Sequence, residues 1–151
     1  MASIEEEIKQ EKKFATEYEK AAVNIMFTSS WLYNVNASRL KKHGITPEQY
    51  NVLRILRGSY PKPLMLGSVT CLMVDKASNA TRLVEKLRLK GYVKRELCEN
   101  NRRQVDIVIT DKGLALLTKI DNAQEEWLDT LKGITKAEAQ ELNRILDKLR
   151  N

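Results

Sequence analysis

Apolar residues recur at helical spacing early in the chain. Phe14, Tyr18, Ala22, Ile25, Leu32 and Val35 follow in steps of three, four or seven, and no glycine or proline interrupts before Gly44. Ser3 and Glu6 have capping-box spacing. The pattern therefore predicts helix from residue 3 to about 43, with a break near Thr28, Ser29 and Ser30 as an alternative. So long a periodic stretch suggests helices that pack on a partner. Ile45-Thr46-Pro47-Glu48-Gln49-Tyr50 then combines a capping threonine, a first-turn proline and a box-completing glutamine. Tyr50, Leu53 and Leu56 give this helix its inner face, and Gly58-Ser59-Tyr60-Pro61-Lys62-Pro63 ends it.

Residues 64–73 form a short apolar segment of weak helix propensity, with Leu66, Val69, Leu72 and Met73 spaced for a helix. Asp75 is placed to cap the next helix, which runs to about residue 90 with Ala77, Ala80, Val84 and Leu87 on one face. Gly91 stands where a C-terminal glycine cap belongs. The period then changes to alternation: Val93, Arg95 and Leu97 oppose Tyr92, Lys94 and Glu96, and residues 105–109 alternate again. This predicts a two-stranded hairpin whose polar tip, residues 99–103, carries Arg102 and Arg103. Thr110 caps a predicted helix from Asp111 to about residue 131. Thr135 and Glu138 open a last one, with Leu142, Ile145, Leu146 and Leu149 in an apolar stripe.

Charge sharpens this outline. The 151-residue chain has a formal net charge of +6. Between Lys76 and Arg103 lie nine basic residues and three acids, so this segment holds the whole excess. A concentrated cationic region is the footprint of a polyanion binder. No apolar run approaches the ~18 residues that span a bilayer. The acidic N-terminus lacks the apolar stretch of a secretory signal. A cytoplasmic protein with no membrane partner is expected. Cys71 and Cys98 match no zinc spacing and are read as reduced, packed thiols, a redox switch being the sharper alternative. His43 is the single histidine, which excludes multi-histidine metal sites; its place near a predicted helix end suits the helix dipole. No phosphate loop or nucleophile elbow occurs, and Asp121 and Glu125 look like solvated helix positions. Neither enzyme chemistry nor a cofactor nor a metal is expected.

The fold class is mainly α with a small β-hairpin. Two short helices followed by a hairpin suit a winged helix-turn-helix, whose second helix enters the DNA major groove. At about 100° per residue, turning Ala80, Leu83, Val84 and Leu87 inward turns Ser78, Arg82 and Glu85 outward. Ser78, Asn79, Thr81 and Arg82 are the base-reading candidates. Arginine bonds guanine bidentately, asparagine reads adenine and threonine touches a thymine methyl. Lys76, Lys86 and Arg88 suit phosphates. Arg102 and Arg103 suit an adjacent minor groove. The alternative for Arg82 is a structural salt bridge.

Asp75-Lys76-Ala77-Ser78-Asn79-Ala80-Thr81-Arg82-Leu83-Val84-Glu85-Lys86-Leu87 with Lys90-Gly91-Tyr92-Val93 resembles the recognition helix and following turn of MarR-type regulators. Asn101-Arg102-Arg103 and Val108-Ile109-Thr110-Asp111-Lys112-Gly113 resemble that family's wing and next helix. Residues 45–53 resemble its second helix. The resemblance covers nearly the whole chain. It implies one domain over 1–151, with dimerisation helices in 1–43 and 111–151 and a winged helix-turn-helix in 44–110. It implies a homodimer on double-stranded DNA with a palindromic operator, typically as a repressor. It also implies a small aromatic effector, for which Trp31, His43, Tyr50 and Met65 are the pocket candidates. Where the family's wing usually has an aspartate before the arginine pair, this chain has Asn101, which cannot form an ion pair. Two alternatives stand beside this reading: a winged-helix module for protein–protein contact, and a non-specific architectural DNA-binding protein.

Overall fold

The computed structural model describes all residues except Met1, Glu99 and Asn100, and all side chains except those and residues 97, 98, 101–104, 124 and 126. The chain divides into two compact units, Met1–Pro47 and Glu48–Asn151.

The first unit is helical but not one helix. The Ser3 hydroxyl accepts from the Glu6 N–H, and the Glu6 carboxylate accepts from the Ser3 N–H at 2.8 Å, which completes the expected capping box. That helix, α1 (Ile4–Glu7), ends within a turn, and Lys9 takes a left-handed φ of 54°. A second helix, α2 (Glu17–Lys41), starts where Thr16 accepts from the Glu19 N–H. It is unbroken through Thr28, Ser29 and Ser30, so the interruption lies earlier than the alternative reading placed it. Lys20 reaches back to Glu5 at 2.7 Å and ties the start of α2 to α1. Leu40 is the buried residue of α2, whereas Tyr18, Met26, Phe27, Trp31 and Tyr33 are exposed.

The next helix, α3 (Pro47–Ser59), belongs to the second unit from Glu48 on and buries Gln49, Val52, Leu53 and Leu56. The 64–73 segment divides into a strand, β1 (Leu64–Met65), and a helix, α4 (Leu66–Leu72). The next helix, α5 (Ala80–Leu89), begins at Asn79, not at Asp75. The Asp75 carboxylate instead accepts from the Ala77 N–H and the Ser78 hydroxyl, both at 2.9 Å, and so closes the turn between α4 and α5. Asn51 on α3 accepts the Val74 N–H at 2.9 Å and holds the same turn from below.

The hairpin expected from alternation is present as β2 (Val93–Cys98) and β3 (Asn101–Ile109). It belongs to a three-stranded antiparallel sheet in the order β1-β3-β2, with Leu64 and Arg95 both opposite Ile107. The register passes from Leu97 opposite Val105 directly to Cys98 opposite Asn101, so Arg102, Arg103 and Gln104 form a bulge on β3. The arginine pair thus lies within a strand, not in the connecting turn. Val93, Ile107, Val108 and Ile109 are buried, and α5 packs its Ala80, Val84 and Leu87 face on α4 and β2.

The helix expected from Asp111 to about residue 131 is interrupted at Ala123. It forms α6 (Asp111–Asn122), capped by Thr110, and α7 (Gln124–Asp129). Leu117 and Ile120 on α6 complete the core. Asp121 is not a solvated position: Arg57 on α3 donates to it at 2.6 Å, with Arg54 at 3.6 Å. The last helix, α8 (Lys136–Arg150), carries the predicted Thr135–Glu138 capping box and buries no residue. No described helix is long and apolar enough to cross a membrane.

Candidate nucleic-acid interface

The candidate surface is built on α5. Asn79 ends the turn with its side-chain oxygen accepting the Arg82 N–H at 3.0 Å, which satisfies one of the helix's unpaired first-turn donors. With Val84 and Leu87 fully buried, the opposite side of α5 must face solvent, and Thr81, Arg82, Lys86 and Arg88 are exposed there. Of the predicted inward face, Ala80, Val84 and Leu87 are buried, whereas Leu83 is half-buried and Ala77 is exposed before the helix begins; Arg82 stands on the outer face, with Glu85 half-buried beside it.

The base-reading candidates fall into two groups. Thr81 and Arg82 lie on the first turn of α5. Ser78 and Asn79 precede it, and both use side-chain oxygens locally: Ser78 donates to Asp75, and Asn79 caps the helix. The Asn79 amide NH2 is not what caps the helix, so the residue keeps donors while its oxygen is committed. The phosphate candidates divide similarly. Lys86 is exposed on α5, but the Lys76 ammonium donates to the Cys71 carbonyl, and Arg88 grips Glu85 with hydrogen bonds of 2.7–3.3 Å.

Glu85 is the hub of this face. Besides Arg88 it holds Arg95 of β2, whose guanidinium lies 3.7 Å from the second carboxylate oxygen. The Arg88 hydrogen bonds keep the Glu85 carboxyl below its ordinary value, with smaller help from the charges of Arg88 and Arg95. It is therefore an anion at neutral pH and an anchor for two cations. A shallow groove results, lined by Asn79, Thr81, Arg82, Glu85, Lys86 and Arg95. Its cationic lining is the surface a polyanion needs.

Arg95 was not singled out for contact in the sequence. Alternation shows that it points away from Lys94 and Glu96, but only the packing of β2 on α5 brings it beside Arg82 and Lys86. The backbone of Arg102 and Arg103 lies on β3, and their side chains lie outside the described residues. Among the proposed effector residues, Trp31 and His43 belong to the first unit, Tyr50 and Met65 to the second. Trp31 and Met65 are 44% and 48% exposed, and His43 and Tyr50 are half-buried. Cys71, expected to be packed, is exposed on α4; the Cys98 side chain lies outside the described residues. No group of three or more metal-ligating side chains occurs among the described residues.

A helix pair joined by a tight turn, followed by a two-stranded wing packed on the second helix, defines a winged helix-turn-helix protein. No protein-family model matches the chain. Among curated proteins it is similar to the transcriptional repressor MprA of Escherichia coli K12, with 26% identity over 125 residues covering 82% of this chain and 71% of MprA. Among solved structures, a MarR transcription factor from Planctomyces limnophilus is 25% identical, with a TM-score of 0.69, covering 89% of this chain and 98% of that one. A MarR mutant from E. coli complexed with operator DNA is 23% identical, with a TM-score of 0.78, covering 91% and 99%. The chain has a winged helix-turn-helix fold, and the curated proteins and solved structures it is similar to are described as transcription regulators.

Proposed function

We propose that the chain is a sequence-specific regulator that binds double-stranded DNA as a homodimer, with α5 in the major groove and the β2–β3 hairpin as its wing. The observation that carries this reading is the exposed face of α5, where Thr81, Arg82 and Lys86 share one groove with Arg95. Arg82 and Thr81 read bases, with Ser78 and Asn79 at the helix entrance. Lys86 and Arg95 meet phosphates, joined by Lys76 and Arg88 if their internal bonds yield to phosphate. Arg102 and Arg103 serve the adjacent minor groove.

Exposed apolar residues on α2 and α8 support the homodimer, since each helix presents more apolar surface than a solvated helix needs. A twofold particle would set two α5 helices roughly 34 Å apart on a palindromic site. By analogy with MprA the protein acts as a repressor. It would do so in the cytoplasm, with a small aromatic effector near Trp31, His43, Tyr50 or Met65 releasing it.

Selection of bound sequences from a random duplex pool tests the reading. An inverted repeat with half-sites one helical turn apart is the expected result. Enrichment of no sequence, with affinity falling steeply in salt, would make the protein an architectural binder. No binding at all would favour a protein-interaction module.

A further inference from the structure

The C-terminal end of α5 is held by several contacts from the turn and α6. Gly91 takes a left-handed φ of 77°, which glycine adopts without steric cost, and the chain reverses there. The Gly91 and Tyr92 N–H groups donate back to the Arg88 and Leu87 carbonyls at 2.9 and 3.0 Å. Two later carbonyls, those of Lys90 and Gly91, cannot be satisfied within the helix. The first accepts from the Lys112 ammonium at 2.8 Å and the second from the Thr110 hydroxyl at 2.7 Å. The Lys112 ammonium also lies 5.1 Å from the centre of the Tyr92 ring, within cation–π range. Its positive charge thus stands at the negative end of the α5 dipole.

The other side of this joint is equally constrained. Thr110 donates its N–H to the Tyr92 carbonyl at 3.0 Å and caps α6 through the Gly113 N–H. A Cβ at Gly113 would come within 2.4 Å of the Tyr92 carbonyl oxygen, so α6 and the turn are in direct backbone contact. Lys112 closes the joint from outside. Its side chain passes over Gly91, where a Cβ would meet both its Cδ and its Nζ at 3.7 Å.

We infer that Lys112 is a positioning residue for DNA recognition: it fixes the axis of α5 on α6, and does not itself contact the duplex. This inference rests on the DNA-binding reading of α5. Its ammonium is spent on a main-chain carbonyl and an aromatic ring, and it is not among the residues lining the Arg82–Arg95 groove. Base readout demands supporting side chains that hold the first contacts to within about 0.5 Å. A lysine lost from the joint lets α5 pivot, which harms readout more than phosphate attraction.

The test compares the wild type with Lys112→Met, Lys112→Arg and Gly91→Ala. The probes are the duplex recovered from random selection and a scrambled duplex of the same composition, titrated across salt concentrations. Lys112→Met should weaken binding to the selected duplex on the order of tenfold, towards the low end of losing one base readout. Scrambled-duplex affinity and the salt slope should stay at wild-type values. Lys112→Arg should restore discrimination. Gly91→Ala, which strains the left-handed turn under the lysine arm at unchanged net charge, should reproduce the loss, and it keeps the test open if Lys112→Met fails to fold. A salt slope lowered by about one on both duplexes would make Lys112 a phosphate contact and overturn the inference. So would wild-type discrimination in folded Lys112→Met or in Gly91→Ala, even with a lowered melting temperature. A wild type that selects no sequence would sink the DNA-recognition reading itself, a different failure.

Discussion

Helices α5 and α8 are built alike and end up in opposite circumstances. Each is amphipathic and each opens on a side-chain oxygen, Asn79 in one and Thr135 in the other. Yet α5 buries Ala80, Val84 and Leu87 within its own unit, whereas α8 leaves Leu142, Ile145 and Leu149 between 48% and 67% exposed. A buried apolar face fixes a helix's orientation, and its charged side can then be aimed. An uncovered apolar stripe leaves that fixing to another surface. On the proposed function the two helices do different work: α5 presents the DNA-binding face, and α8 the surface for a second copy.

The strongest way to break that contrast is to charge the α8 stripe. Leu142→Asp combined with Ile145→Asp should convert a dimer to a monomer in sedimentation analysis. Losing the second tethered reading head should lower affinity for the selected duplex by about 10²–10⁴-fold. A dimer that persists would move the adhesive surface away from α8. On α5, Arg82→Ala should cost about 1–3 kcal/mol at the selected site and relax its discrimination. An equal loss on every duplex would reduce Arg82 to a general cation. The smallest effects concern the caps. Asn79→Ala and Thr135→Ala should each lower stability by about 1 kcal/mol in denaturant titrations. On the proposed function only the first should also impair duplex binding, because α5 is the helix assigned to the groove. Equal impairment by both would erase the proposed division of labour.

Local signals made much of the fold legible. The Ser3–Glu6 and Thr135–Glu138 boxes, the Thr110 cap, the glycine turn at Gly91 and the Ala80–Val84–Leu87 core of α5's inward face follow from spacing alone, though Ala77, spaced for that face, is exposed before the helix. Where two local solutions compete, spacing does not decide. Asp75 and Asn79 can both cap a helix; Asp75 closes a turn instead, and the helix begins after Asn79. The interruption between α1 and α2 contains no glycine or proline, so apolar periodicity runs through it unmarked. Long-range pairing is hidden for a different reason. Strand β1 exists because Leu64 and Met65 meet Ile107 and Asp106, forty residues and more away along the chain. The same holds for the candidate surface: Arg82 and Lys86 declare themselves by helical phase, whereas Arg95 joins them only through the packing of a strand. Asp121 shows the converse error, since its partners Arg54 and Arg57 sit on a helix far earlier in sequence.

The sheet order has one further consequence. Strand β3 is the central strand, so one edge of the sheet is the wing strand and the other is β1, only two residues long. So short an edge exposes few unpaired peptide groups and gives an incoming chain little to zip onto. β1 itself thereby offers little template for strand-driven fibre growth, and β-type self-association would start from the wing strands β2 and β3, where β3 extends beyond β1.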